Sequence, residues 1–262
     1  MMTNLNEIHL SYEEVGTGPA VLLLHAFPLS GAMWHRQVAA LRDRYRVIVP
    51  DLRGFGKSDA PSGPYVLEQQ ADDMGALLTH LGVEKAAVVG LSMGGYIAFT
   101  FWRRHRDKVA ALVLADTRAG ADSAEGRVGR ETNARLAETE GAAAIAAKMI
   151  PGLVAPTASQ AVREQLRVLI TANRPEGIAG ALRGMAVRPD ATPDLAGITV
   201  PTLVIVGTED GLTPPAEAAQ IQQGIAGSSM ALVPGAGHLS NLEQPEVFNT
   251  ALRVFLDRVL VR

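Results

Sequence analysis

The 262-residue chain has no cysteine. That excludes disulfides, a cysteine nucleophile and thiolate metal sites. No apolar run is long enough to span a bilayer. The first six residues, Met1-Met2-Thr3-Asn4-Leu5-Asn6, lack the charged and apolar regions of a signal peptide. A cytoplasmic location with no membrane partner is the default expectation. Charge of one sign is also scarce: 24 Lys and Arg stand against 27 Asp and Glu, for a formal net charge of −3. No basic stripe stands out, so nucleic acid is not an expected partner. The largest cationic cluster, Arg103-Arg104-His105-Arg106, falls where a helix should end, and the helix dipole accounts for it. Repeats and low-complexity tracts are missing as well. With 47% hydrophobic residues, the chain suits one large α/β domain with a substantial core.

Apolar runs of strand length alternate with longer helical stretches. Residues 21–24, 47–49, 87–89, 111–114, 202–206 and 230–233 are continuously apolar, the signature of parallel strands covered on both faces. Residues 8–13 alternate and fit an edge antiparallel strand, with Gly16-Thr17-Gly18-Pro19 as the following turn. Helices are expected over residues 34–44, 67–81, 94–105, 215–224 and 245–259. The rhythm breaks once, from about residue 118 to 193, where Ala- and Arg-rich helical sequence contains no convincing strand. The expected fold is α/β: a doubly wound, mostly parallel sheet with a small helical cap inserted after the sixth strand. Residues 1–118 and 194–262 would form the core and 119–193 the cap.

One stretch carries the chemistry. Ala87-Val88-Val89 runs into Gly90-Leu91-Ser92-Met93-Gly94, a G-x-S-x-G pattern that turns sharply from strand to helix and exposes the serine. A helix beginning there aims free N–H groups at the hydroxyl. Serine needs a base in contact and a group to orient that base. Of six histidines, His238 stands on a glycine-rich loop after the last strand, Pro234-Gly235-Ala236-Gly237-His238. Two aspartates end strands, Asp116 and Asp210, and either can lie near that histidine. Asp210 gives the order Ser, Asp, His; the alternative role for Asp116 is to cap a segment of the inserted region. Acyl transfer also needs N–H donors where negative charge develops. Met93 N–H follows the nucleophile, and Phe27 is the natural second donor in Leu24-His25-Ala26-Phe27-Pro28, because Pro28 has no N–H. His25 is expected to buttress that loop. Asp51-Leu52-Arg53-Gly54-Phe55-Gly56-Lys57-Ser58 lacks the spacing of a phosphate loop, and shaping the loop is the expected role of Asp51 and Arg53.

These motifs, in this order, resemble the α/β-hydrolase superfamily across essentially the whole core, and small carboxylesterases and 3-oxoadipate enol-lactonases within it. The resemblance implies a triad of Ser92, Asp210 and His238, with Phe27 and Met93 lending backbone N–H groups. Ala26 departs from it, standing where the family usually has glycine. Serine at the elbow argues against the dehalogenase and epoxide-hydrolase branches, which use aspartate there. The expected activity is hydrolysis of carboxylic esters of small, mainly apolar substrates through an acyl-enzyme, with no cofactor and no metal. An enol-lactone hydrolase or a slow ligand receptor are the alternatives. Phe27, Trp34, Met93, Met149, Leu212 and Leu239 are candidate substrate contacts, and each can equally be core. A dicarboxylate lactone would need a cation in the pocket, for which Arg118, Arg127 and Arg130 are candidates. Oligomeric state is open.

Overall fold

Each continuous apolar run becomes a strand in the computed structural model, which describes residues 1–261. The strands are β1 (Met2–Leu5), β2 (Ile8–Val15), β3 (Ala20–Leu24), β4 (Arg46–Pro50), β5 (Ala86–Leu91), β6 (Val109–Ala115), β7 (Thr202–Gly207) and β8 (Ser229–Val233). They form one sheet in the order β1-β2-β4-β3-β5-β6-β7-β8. From β4 to β8 every pairing is parallel; β1 with β2 and β2 with β4 are antiparallel. This is the expected doubly wound, mostly parallel sheet, with helices on both faces. Every residue of β3, β5 and β7 is buried. Each fully enclosed Val, Leu or Ile contributes roughly 1.5–3 kcal/mol relative to exposure.

Two readings need correction at the margins. β1 is short, with polar Thr3 and Asn4 at its centre, so no apolar run announces it; it pairs on the outer side of β2, which is therefore not the edge strand expected of residues 8–13. β8 is an edge strand, not a doubly covered one. It has no partner on its outer side among the described residues, and Met230 and Leu232 are exposed.

The helices between strands are α1 (His35–Leu41), α2 (Leu67–His80), α3 (Met93–Arg104), α7 (Pro215–Gly224), α8 (Ser240–Glu243) and α9 (Pro245–Leu260). The segment between β6 and β7 is helical: α4 (Ala124–Leu153, interrupted at Gly141, φ 83°), α5 (Gln160–Thr171) and α6 (Pro175–Ala186). Ser123 and Ser159 cap α4 and α5 by accepting from Gly126 N–H and Val162 N–H. The inserted helices dock through small residues and polar clamps. A Cβ on Gly177 would meet the Gly54 carbonyl oxygen at 1.9 Å, so only glycine allows α6 to approach that loop. Asn173 donates to the Pro28 carbonyl (2.8 Å) and accepts from Gly56 N–H (2.8 Å). Glu243 accepts from Ala155 N–H (2.8 Å) and Gly237 N–H (2.9 Å), tying the connection between α4 and α5 to the His238 loop. No helix among the described residues is long and apolar enough to cross a membrane.

Candidate active site

The end of β5 sets the site. Ser92 sits between strand and helix with φ 55° and ψ −112°, a left-handed backbone that a serine adopts only under constraint. The turn is that tight because its flanks are bare. A Cβ on Gly90 would meet Gly94 O at 2.2 Å, and one on Gly94 would meet Leu24 O at 2.2 Å. Ser92 N–H donates to Ala115 O (2.9 Å), and Thr117 O–H donates to Ser92 O (2.9 Å), so the end of β6 holds the elbow from the side.

Two loops from the far half of the sheet meet Ser92. His238 Nε2 lies 2.8 Å from Ser92 Oγ, and its Nδ1 lies 2.8 Å from Asp210 Oδ2. With Nδ1–H donating to the carboxylate, Nε2 is left to accept the serine proton. Asp210 also accepts from Leu212 N–H (2.8 Å), Thr213 N–H (2.9 Å) and Thr213 O–H (2.7 Å). Thr213 was not legible as a site residue; the one signal is a hydroxyl residue three positions after an aspartate in a loop. Burial works to lower the His238 pKa, but the hydrogen bond and charge of Asp210, with the charge of Asp116, hold it above its ordinary value. Burial works to raise the Asp210 pKa, and its bonds to His238 and Thr213 outweigh that, keeping it below its ordinary value. Such a chain can take a proton from a hydroxyl and keep the resulting imidazolium paired.

The loop after β3 faces the same point. Phe27 N–H has no acceptor among the described residues. Met93 N–H belongs to the first turn of α3, which helix geometry leaves unpaired. His25 holds the loop. Its Nδ1 donates to Ala26 O (3.0 Å) and its Nε2 accepts from Leu52 N–H (3.0 Å). Burial drops its pKa to about 4, with the Ala26 bond and the Asp51 charge opposing, so the ring is neutral at neutral pH. Ala26, the departure from glycine, is fully enclosed, and its N–H points at Met33 sulfur (3.2 Å). Asp51 accepts from Gly31 N–H and Lys57 N–H, while Arg53 is committed to Asp73.

A cavity of about 150 Å³ opens on Ser92 and His238, walled by Phe27, Tyr96, Met149, Leu153, Met185, Leu212 and Thr213 with Arg118 and Arg130. Wider grooves of about 640 and 690 Å³ lie at the β8–α9 edge and beside β2 and β4, and neither reaches Ser92 or His238. Phe27, Met149 and Leu212 line this cavity. Trp34, Met93 and Leu239 do not. Trp34 is fully enclosed with its ring 6.1 Å from Phe248, and the Met93 and Leu239 side chains are sealed in the core. Nearness in sequence to a functional loop misplaced all three. The two cations in the cavity wall, Arg118 and Arg130, belong to a cluster around Asp122 that also holds Arg188 outside the wall. Arg188 Nη1 lies 2.6 Å and Arg118 Nη2 3.1 Å from its carboxylate, and Arg130 also hydrogen-bonds it. The Arg188 guanidinium stacks 4.2 Å over Tyr96. Arg127 is not in the cavity wall.

The fold and this site define an α/β hydrolase: the family model described as alpha/beta hydrolase fold matches residues 19–245, and the chain belongs to that family. Among curated relatives it is 30% identical to 3-oxoadipate enol-lactonase 2 of Acinetobacter baylyi over 96% of this chain and 94% of that one. Among solved structures it resembles a thermophilic esterase from Thermogutta terrifontis, with malate bound, at 44% identity and TM-score 0.95 over 97% and 95% of the two chains. It also resembles the enol-lactonase from Burkholderia xenovorans LB400, at 33% identity and TM-score 0.90 over 98% and 99%.

Proposed function

We propose that the protein is a serine hydrolase that cleaves small carboxylic esters through an acyl-enzyme. The reading is carried by the unbroken hydrogen-bond chain Ser92 Oγ–His238 Nε2, His238 Nδ1–Asp210 Oδ2, lying in a small cavity at the carboxyl end of the sheet. Ser92 attacks the carbonyl carbon while His238 takes its proton. The Phe27 and Met93 amides stabilise the oxyanion. His238 returns the proton to the leaving alcohol, and water, deprotonated by the same imidazole, releases the acid. Asp210 orients the ring and stabilises its charged form. About 150 Å³ is less than typical drug-sized pockets, so short acyl groups fit the reading best. The inserted helices act as a cap, since Met149, Leu153 and Arg130 hang from them over Ser92.

The cavity's charge favours a second, narrower reading. Arg118 and Arg130 line the cavity and, with Arg188 outside its wall, share a single carboxylate, Asp122; Glu217 is the next acid facing Arg118. A substrate carrying its own carboxylate, as an enol-lactone of the 3-oxoadipate type does, would meet that surplus positive charge. The malate-bound esterase and the enol-lactonases among the relatives are in keeping with this.

The test is an activity panel of short neutral esters, half-esters of dicarboxylic acids and lactones, run on wild type and Ser92→Ala. We expect sustained turnover, covalent labelling of the wild type by a fluorophosphonate, and a loss of at least about 10³-fold in kcat with no labelling in the variant. A single stoichiometric burst followed by silence would overturn the enzyme reading.

A further inference from the structure

Asp116 is a buried acid facing His238 that this mechanism leaves unused. It follows the last residue of β6, has no solvent exposure, and takes φ 42°, an uncommon conformation for a residue with a side chain. Its backbone N–H donates to Ile205 O. Its carboxylate accepts from two groups. Gly207 N–H, at 2.8 Å, lies three residues before Asp210; Ser240 O–H, at 2.5 Å, lies two residues after His238. The neighbouring Thr117 holds the Ser92 carbonyl. The tip of β6 thus bonds to the carriers of all three members of the chain.

We infer that Asp116 is a positioning residue of the hydrolytic site: its carboxylate clamps the Asp210 and His238 loops together, and its negative charge supports the imidazolium that forms on His238. The inference rests on the proposed roles of Ser92 and His238. The charged groups facing His238 are Asp210 from the loop after β7, Asp116 from the end of β6, and Arg118 just beyond it. Asp210 and Asp116 favour the protonated ring; Arg118 and burial oppose it. Asp116 in turn faces His238 and Asp210, and burial, together with the repulsion of Asp210, lifts it to about 7 against the pull of His238, Ser240 and Gly207. A scaffold residue with no part in the chemistry would need only the two hydrogen bonds. A carboxylate placed there adds charge, and charge acts on basicity.

Asp116→Asn separates the two roles, because the amide oxygen still accepts from Gly207 N–H while the Ser240 hydroxyl turns to accept from the new NH2. Losing the charge lowers the His238 pKa. Because Asp116 is lifted to about 7, it is ionised only in part over the acid limb, so that limb of kcat/KM should move to lower pH by about half a unit, and kcat on the plateau should fall about three- to tenfold with KM within about twofold. An NMR titration of the His238 ring should show the same downward shift without requiring any turnover. Ser240→Ala, which keeps the carboxylate, covers the case in which the asparagine variant fails to fold; it should move the ring titration the same way by a smaller amount. An unmoved titration in folded Asp116→Asn, or in Ser240→Ala should the asparagine variant fail to fold, overturns the inference, even if activity falls. Wild-type protein that is never labelled at Ser92 overturns the hydrolase reading instead, and leaves the titration result to stand alone.

Discussion

Acidification should destabilise this protein through one residue that never touches substrate. His25 is fully enclosed behind the loop after β3 and accepts Leu52 N–H on Nε2. Protonating it would end that bond, leave the Leu52 N–H unpaired and enclose a charged ring that the Ala26 bond and the Asp51 charge only partly offset. Its folded pKa of about 4 lies below the ordinary 6.5 of an unfolded chain, so folding favours the neutral ring. The stability this supplies is whole above pH 6.5 and drains as pH falls toward 4. Linkage gives a loss of about 2 kcal/mol by pH 5 and about 3 kcal/mol by pH 4. Against a typical total of about 5–15 kcal/mol, that is a large share. His238 acts in the other direction: its raised pKa contributes stability that is fully present below 6.5 and lost as pH rises. Both it and the paired carboxylates persist in a His25→Gln variant, whose amide oxygen can still accept from Leu52. Urea unfolding of wild type and variant at pH 7 and pH 5, at fixed ionic strength, isolates the difference. Wild type should lose about 2 kcal/mol more than His25→Gln over that interval. Equal losses in the two proteins would refute the argument, and with it the neutral, bonded state of His25.

Two further outcomes follow from charge. Arg53 bonds both oxygens of Asp73 at 2.9 Å, and both side chains are buried, leaving Asn6 as the other side-chain donor to that carboxylate. Arg53→Ala strands the acid and should cost about 3–5 kcal/mol in chemical denaturation; a loss within the error of the measurement would contradict the pair's role. Arg130→Gln keeps the shape of the cavity wall but reduces its positive charge. KM for a half-ester carrying a free carboxylate should rise about tenfold, while KM for a neutral short ester stays within about twofold. Equal effects on both substrates would sink the carboxylate reading.

The sheet was legible because burial on both faces writes itself as unbroken apolarity. Thr202-Leu203-Val204-Ile205-Val206 can be little else but a central strand, and it pairs with β6 and β8 on either side. Legibility failed where that signal thins. Met2-Thr3-Asn4-Leu5 pairs with β2 as a hairpin arm whose pattern is too short to stand out. Met230-Ala231-Leu232-Val233 is as apolar as a core strand, yet lies at the rim. Apolar content reports what a strand can bury, not whether the chain supplies a neighbour to bury it against.

The site divides along a similar line. Ser92, Asp210 and His238 could be found because each sits at a place where local sequence forces a geometry: glycines that permit a turn, or a loop directly after a strand. Phe27 was reached by subtraction, since Pro28 cannot donate. Arg118 and Arg130 were candidates alongside Arg127, but no local rule separates them from it or reaches Arg188. Arg118 precedes α4, Arg130 lies within it and Arg188 follows α6; they meet at Asp122 only because α4 and α6 pack together. Their joint charge is a property of the docked helices, and none of the three would read differently from a solvated surface arginine if those helices were laid out alone. The same holds for Asp116 and Ser240, 124 positions apart and joined by one hydrogen bond. The proposed reaction type rests on residues the backbone must hold in one shape. The proposed selectivity and tuning of the base rest on contacts between segments, and those follow from packing.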